Sequence, residues 1–413
     1  MATTGRDLRD VLVGDPEHWQ DGPPNELFKQ LRAECPVHWT SRIPDFPNEA
    51  GYWSVTTADD VHTVSRDWQT YSSELGGITA LTDSILPLEL TRAMFIGMDP
   101  PKHDRLKALF QAGFTPRRIA EHEDAIRAIT AEVLDGLDGR ETCDLVTDVA
   151  QPVVARVIGS FMGIPPEDDA VWAGLMNAIF SAGDPDMNPE GVETVMSRDV
   201  PEVFERCRAL IAERRTRPTD DLTSVLVDAE VDGERLEEHE IVMGFFLLMA
   251  AGNDSTKATY SSGMRALLED PEQLRLVHED PSLVASLVEE SLRMFPAFAH
   301  FRRTATRDVE LGGQQIRAGD KVVMWYVSSN RDETRYEDAD RFDARRNPDH
   351  QAFGAGGRHF CLGAALARLE LRVLFEETLA RYPQMELAGR PEYVLSGFVN
   401  QLRTLPVRLG ARV

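Results

Sequence analysis

A long aperiodic segment from Ser329 to Phe360 lies between two regions of regular pattern and closes as Phe353-Gly354-Ala355-Gly356-Gly357-Arg358-His359-Phe360-Cys361-Leu362-Gly363. A loop of that length inside a compact body is as a rule functional or disordered, and this one holds too many aromatic residues and ends too sharply for disorder. It passes straight into a helical pattern beginning Ala364-Ala365-Leu366-Ala367-Arg368-Leu369-Glu370-Leu371. Cys361 therefore stands at the mouth of a helix, where the macrodipole and free backbone N–H groups stabilise a thiolate. Such a thiolate can act as a nucleophile or a metal ligand. The glycines let the backbone fold close around sulfur, and the small Gly363, Ala364 and Ala367 leave room for something broad and flat. A haem iron held by cysteine uses both features, with N–H···S bonds tuning its potential. An isolated cysteine is more often a buried core residue; the surrounding loop argues against that here.

Most of the remaining chain has 3.6-residue periodicity, clearest over Arg117 to Leu137, Val200 to Arg215, Glu237 to Leu268, Leu283 to Phe295 and Leu362 to Tyr382. Strand signals are fewer, near Gly51 to Thr56, Val309 to Arg317, Lys321 to Val327 and Leu405 to Leu409. The pattern predicts a mainly α fold with a minor β region. With no repeat and no linker, a single domain over 1–413 is expected. The chain carries 44 Lys+Arg against 69 Asp+Glu, a net charge of −25. That balance argues against nucleic acid and anionic membranes as partners, since both need a basic field.

No window is expected to reach the roughly 18 apolar residues of a membrane span, and the N-terminus has no apolar stretch of signal length. The four cysteines show no C-x-x-C spacing, so neither a disulfide framework nor a zinc site is expected. The expectation is a soluble cytoplasmic protein of prokaryotic type. The longest apolar run, Ile241 to Gly252, ends in Asn253-Asp254-Ser255-Thr256, which reads as a buried helix with polar chemistry at its end.

The stretch from Phe353 to Gly363 resembles the haem-ligand loop of the cytochrome P-450 monooxygenases. Other segments resemble the same family in the same order: Ala251-Gly252-Asn253-Asp254-Ser255-Thr256 its oxygen-activation motif, Glu290 to Arg293 its E-x-x-R, and Phe342-Asp343-Ala344-Arg345-Arg346-Asn347-Pro348 its meander. E-x-x-R alone carries little weight. It recurs at Glu89/Arg92, Glu205/Arg208 and Glu272/Arg275, where surface pairs one helical turn apart are expected. The resemblance implies the cytochrome P-450 fold, with haem b between a long distal helix and a proximal helix behind the ligand Cys361. It implies that Glu290, Arg293 and Arg346 form a buried network holding the Cys loop. It also implies propionate contacts from His103 and Lys107, from Arg303 with Arg302 as competitor, and from His359, and it places Ala251, Gly252, Phe353, Gly357 and Gly363 against the cofactor. Lys107 stands where Arg is commoner and offers a point charge without the bidentate fork.

An acid at the end of an apolar run carries a burial cost that a merely structural helix avoids. By resemblance Asp254 is the acid of proton delivery and Ser255 the alcohol beside bound oxygen. The family usually has Thr at that second position, so either Ser255 or Thr256 can serve, and leaky coupling with peroxide release is expected. Phe353 stands eight residues before Cys361 rather than seven. That longer loop, AGN before the acid and Gly397-Phe398-Val399-Asn400 near the C-terminus resemble the bacterial branch with mycobacterial hydroxylases of sterols and branched-chain lipids. An apolar substrate (sterol, terpenoid or lipid-like) follows. Its contacts are expected from Gly76 to Met98, Phe246 to Ala251, Ala297 to His300 and Phe398 to Val399.

The resemblance further implies O2 as co-substrate and electrons from a separate ferredoxin and ferredoxin reductase with NAD(P)H. Lys102, Arg105, Arg117, Arg118, Arg358, Arg368 and Arg372 would form a basic proximal patch to steer that donor. The alternatives are a peroxygenase, a non-oxygenating haem-thiolate enzyme, or a haem-containing ligand-binding protein.

Overall fold

The computed structural model describes residues 8, 11–43, 50–80, 87–231 and 233–412. Helices form the bulk of it. The six that build the site are α1 (Lys102–Gln111), α2 (Gln151–Met162), α3 (Asp169–Phe180), α4 (Glu238–Glu269), α5 (Val284–Met294) and α6 (Ala364–Arg381). The long α4 starts in a capping box, in which Glu237 and Glu240 satisfy each other's end of the first turn. Side chains on all its faces are buried, so it runs through the core and not along the surface. Tyr260 and Thr378 share a hydroxyl hydrogen bond of 2.8 Å that ties α4 to α6.

The minor β region is a five-stranded sheet of β1 (Val37–Arg42), β2 (Ala50–Val55), β3 (Tyr71–Ser72), β4 (His300–Ala305) and β5 (Lys321–Trp325), in the order β1-β2-β5-β4-β3. Only the β2–β5 pairing is parallel. In β4 the pleat sends Phe301 and Arg303 to one face and His300, Arg302 and Thr304 to the other.

Several expectations need correction. The periodic stretch from Arg117 to Leu137 is two helices, Pro116–Ala120 and Glu123–Asp135. The segment Leu145–Met162 is long and apolar enough for a span by composition, at mean hydropathy 1.3, which the sequence reading overlooked; 67% of it is buried inside the fold, as in a core helix. Neither Arg92 nor Arg275 pairs with the Glu three residues before it: Arg92 donates to the carbonyls of Glu74 and Leu75, and Arg275 to Glu279.

Candidate active site

The E-x-x-R of α5 differs in kind from the other three. Glu290 and Arg293 are fully buried. Arg293 donates bidentately to Glu290 at 2.7 and 2.8 Å and spends its remaining donors on the carbonyls of Asn330, Ala339 and Arg341. Glu290 in turn accepts from the backbone N–H of Asp343 at 3.0 Å and lies 3.2 Å from Nε of Arg346. Every charge is matched inside the protein, the condition under which a buried ion network is tolerable, and the aperiodic segment is fixed by it.

That segment delivers Cys361 to a cavity between α4 and α6. The Cys361 N–H donates to the Phe353 carbonyl at 2.9 Å, closing the loop, and the Arg368 guanidinium lies 4.6 Å from the Phe353 ring centre. Gly357 has φ +85°, and a Cβ there would sit 2.8 Å from the Ser65 carbonyl oxygen. It shapes the loop without lining the cavity, a correction to its expected place against the cofactor. The Cys361 thiol is exposed to the cavity while enclosed by protein elsewhere. That enclosure pushes its pKa up, opposed by the Gly363 backbone N–H, Lys107 and Arg368. Lys107 donates to the carbonyls of Arg358 and, at 2.7 Å, of Phe360, so two of its three donors hold the Cys loop and one is left for a propionate.

Haem fits these residues. A Cβ on Gly363 would point into open cavity space, which leaves a flat face beside the sulfur. At the cavity edge Arg303 is buried with no ion pair among the described residues, and that burial depresses its pKa, opposed by Tyr326 and Asp99. His359 lines the cavity and packs against His103 with ring centres 4.2 Å apart, and the buried Nε2 of His103 has no partner. Burial also lowers both histidines' pKa values. Asp104 is spent on Nδ1 of His103 at 2.9 Å and on Arg358, so Arg303 is a cation that a carboxylate of a bound group would complete. His103 stands behind His359 and not in the cavity wall. Arg302 turns away towards Thr304 and the Thr79 carbonyl, so of the two arginines only Arg303 faces the site.

On the distal side Ala251, Gly252, Ser255 and Thr256 line the cavity. Gly252 also serves packing, since a Cβ there would meet the Ile158 side chain of α2 at 2.8 Å. Ser255 Oγ donates to the Ala251 carbonyl at 2.8 Å. Asp254 is fully buried, outside the cavity wall, and ion-paired with Lys257. Glu370 of α6 is a cavity residue that the sequence reading missed: burial raises its pKa to about 8, opposed by a hydrogen bond from Thr256. Its signal was a carboxylate on a stripe with Leu366 and Leu374 at i±4.

A second, apolar chamber adjoins the first and shares Ile96, Leu247, Ala251, Phe298 and Phe301 with it. Phe298, Phe301 and Phe398 pack with ring centres 5.2 to 5.6 Å apart. Each of the four expected segments reaches these chambers, through Ile78 and Ile96, Phe246 and Ala251, Ala297 and Phe298, and Phe398, whereas Gly76, Met98, Met249, Ala299, His300 and Val399 do not line them. Residues 81–86 of the first of these segments lie outside the described residues.

The proximal basic patch needs correction. Each of its arginines is paired: Arg105 with Glu240, Arg117 with Glu121, Arg118 with Asp220, Arg358 with Asp104, Arg368 with Glu289, and Arg372 with Glu123.

The family model described as Cytochrome P450 matches residues 192–388. The methyl-branched lipid omega-hydroxylase of Mycobacterium tuberculosis is 37% identical over 410 residues, covering 97% of this chain and 95% of its own. The steroid C26-monooxygenase of Mycolicibacterium smegmatis is 33% identical over 92% of this chain and 89% of its own. Among solved structures, the Mycobacterium marinum cytochrome P450 CYP268A2 in complex with pseudoionone superposes with a TM-score of 0.91 at 37% identity, over 98% of this chain and all of that one.

Proposed function

The chain belongs to the cytochrome P450 family and is a haem-thiolate monooxygenase of apolar molecules; from that premise we propose that its substrate is an uncharged, branched molecule of isoprenoid or sterol type. The observation that carries this is the second chamber, whose wall, among the described residues, holds aromatic and aliphatic side chains, two threonines and no charged residue. A substrate carboxylate there would be desolvated without a partner, at a cost of several kcal/mol. The cations that reach the cavity, Lys107 and Arg303, are committed to the cofactor side.

The cofactor is haem b in this reading, and when bound it supplies the iron at which dioxygen is activated. Cys361 is its ligand, held by the Phe353 carbonyl and by Lys107. Arg303 and His359, with His103 behind it and the third donor of Lys107, would take the propionates. Gly363, Ala251 and Gly252 leave its two faces clear. The Phe298, Phe301 and Phe398 rings exclude water from the substrate. Ser255 is the cavity hydroxyl that hands a proton on from Asp254, while Thr256 is drawn towards Glu370. Electrons come from a ferredoxin and its NAD(P)H-dependent reductase, docked on a proximal face whose arginines are already paired.

The test is a spin-state titration of the haem-loaded protein with pseudoionone and with a carboxylic acid of the same chain length. Pseudoionone should bind at least about tenfold tighter, and equal binding overturns the substrate class. Ser255→Ala should lower product per NAD(P)H and raise peroxide; unchanged coupling removes Ser255 from its role.

A further inference from the structure

Beside Glu290, which belongs to the buried network with Arg293, α5 carries a second carboxylate, Glu289, that collects donors from two other segments. Arg368 of α6 forks on it at 2.7 and 2.9 Å, and Nε2 of His350 lies 3.1 Å from its Oε2. The Ala352 N–H donates to Nδ1 of His350 at 3.2 Å, so that ring is neutral and donates its Nε2 proton to Glu289. Burial works against the Glu289 charge, yet the bonds from His350 and Arg368 bring its pKa down to about 2. Both partners lead to Phe353. The Arg368 guanidinium covers the Phe353 ring at 4.6 Å, while the His350 ring centre lies 5.7 Å from that ring and its Nδ1 holds the residue before it. The Phe353 carbonyl in turn takes the Cys361 N–H, and Arg368 is one of the cations that favour the Cys361 thiolate. A surface arginine pair is worth little to stability. Glu289, however, is 18% exposed against 39% for Arg368, so its charge sits inward, where it acts on what lies beyond Phe353.

We propose that Glu289 is a positioning residue that sets the reduction potential of a haem ligated at Cys361, by fixing Arg368 against Phe353 and cancelling its charge. The inference rests on Cys361 being the haem ligand. Reduction adds one electron at the ligated iron, so a nearby cation favours the reduced state and a nearby anion disfavours it. With Glu289 ionised and His350 neutral, the cluster of Glu289, Arg368 and His350 adds no net charge on the sulfur side. Either charged partner alone would leave an uncompensated charge there. Glu289 and Arg368 therefore act on one observable in opposite directions and cancel as a pair. A pair that only braced the loop would fail in the same direction whichever end was cut, so the two roles separate in a double-mutant cycle.

Glu289→Gln, Arg368→Met, Arg368→Lys and the double variant E289Q/R368M test this in the haem-loaded protein. The readouts are the midpoint of an anaerobic redox titration at pH 7 and the absorbance band of the reduced carbon monoxide complex, which reports thiolate ligation. E289Q should shift the reduction equilibrium about three- to tenfold towards the reduced state, tenfold being 59 mV for one electron. R368M should shift it by a similar factor the other way, because the carboxylate keeps only its His350 bond. The double variant removes both charges and should return to within about twofold of the wild type. R368K keeps the cation without the fork and should also stay near the wild type. Shifts of E289Q and R368M in the same direction overturn the proposal, as does an unchanged midpoint in both, or a double variant no nearer to the wild type than the single ones. A wild type without the thiolate band overturns instead the reading of Cys361 as the ligand, and the proposal falls with it.

Discussion

Replacing His300 by asparagine should remove an acid-sensitive element from behind the Phe398 wall of the substrate chamber. The His300 ring is buried 4.6 Å from that of Trp325 and 5.3 Å from that of Phe398. Its Nδ1 lies 2.9 Å from the Gly397 carbonyl and must donate to it, while its Nε2 accepts from the Ala80 N–H at 3.0 Å. Only the neutral ring can do both. Burial accordingly lowers its pKa from 6.5 to about 4, opposed by the Gly397 bond. As pH falls, the unfolded chain takes up this proton near 6.5 and the folded one only near 4. The stability held above 6.5 is therefore lost progressively between those values. At about 1.4 kcal/mol per pH unit the whole window corresponds to about 3 kcal/mol, of which about 2 kcal/mol is gone by pH 5. Urea unfolding of wild type and H300N, followed by circular dichroism at pH 7 and pH 5, measures this. Other acid-labile groups cancel in the difference between the two proteins. That difference should shrink by about 2 kcal/mol from pH 7 to pH 5; the same difference at both pH values refutes a buried neutral ring.

Arg293→Lys keeps the charge but loses the fork that reaches Glu290 and three carbonyls. A broken buried pair costs about 3–5 kcal/mol, so the haem-to-protein ratio on purification should drop sharply. Glu370→Gln should stabilise the protein, because burial gives Glu370 a pKa of about 8 against 4.5. The wild type loses stability as pH rises from 4.5 to 8, and the variant does not. The gain in melting temperature should be near zero at pH 4.5 and largest at pH 8; a pH-independent gain refutes it. Lys107→Met removes two bonds to the Cys loop and a cation near the sulfur. The haem reduction potential should fall, as measured by redox titration, and an unchanged potential would separate Lys107 from the thiolate.

What was legible in the sequence is what local pattern encodes. The Cys loop announces itself through glycines and an abrupt helix start, and α4, α5 and α6 through their periodicity. Strand β4 was missed because its sequence, His300-Phe301-Arg302-Arg303-Thr304-Ala305, buries polar residues on both faces. The alternation that marks a strand is hidden where function places charge inside. The partners of the proximal arginines were missed for another reason. Asp104 meets Arg358, Glu289 meets Arg368 and Glu123 meets Arg372, and no local pattern reports a pairing between segments so far apart in sequence. Lys257 stands three residues from Asp254 in plain view, but its contacts with Gln151 and Asn177 come from two other helices.

These misses share a cause that also yields a rule. With 69 acidic side chains against 44 basic ones, an arginine brought to this protein's surface readily finds a carboxylate, so a cluster of basic residues in the sequence says little about a free basic surface. The informative cation is the one that finds none. Arg303 is buried, has no ion pair among the described residues and has its pKa depressed by burial, opposed by Tyr326 and Asp99, beside a His103 Nε2 that is buried and unpartnered. In a chain with acids to spare, a carboxylate could have been placed there at little cost. Asp104 is instead taken up by Nδ1 of His103 and by Arg358, and no carboxylate among the described residues ion-pairs Arg303; that is the strongest internal argument that this edge of the cavity receives the anionic groups of a bound cofactor.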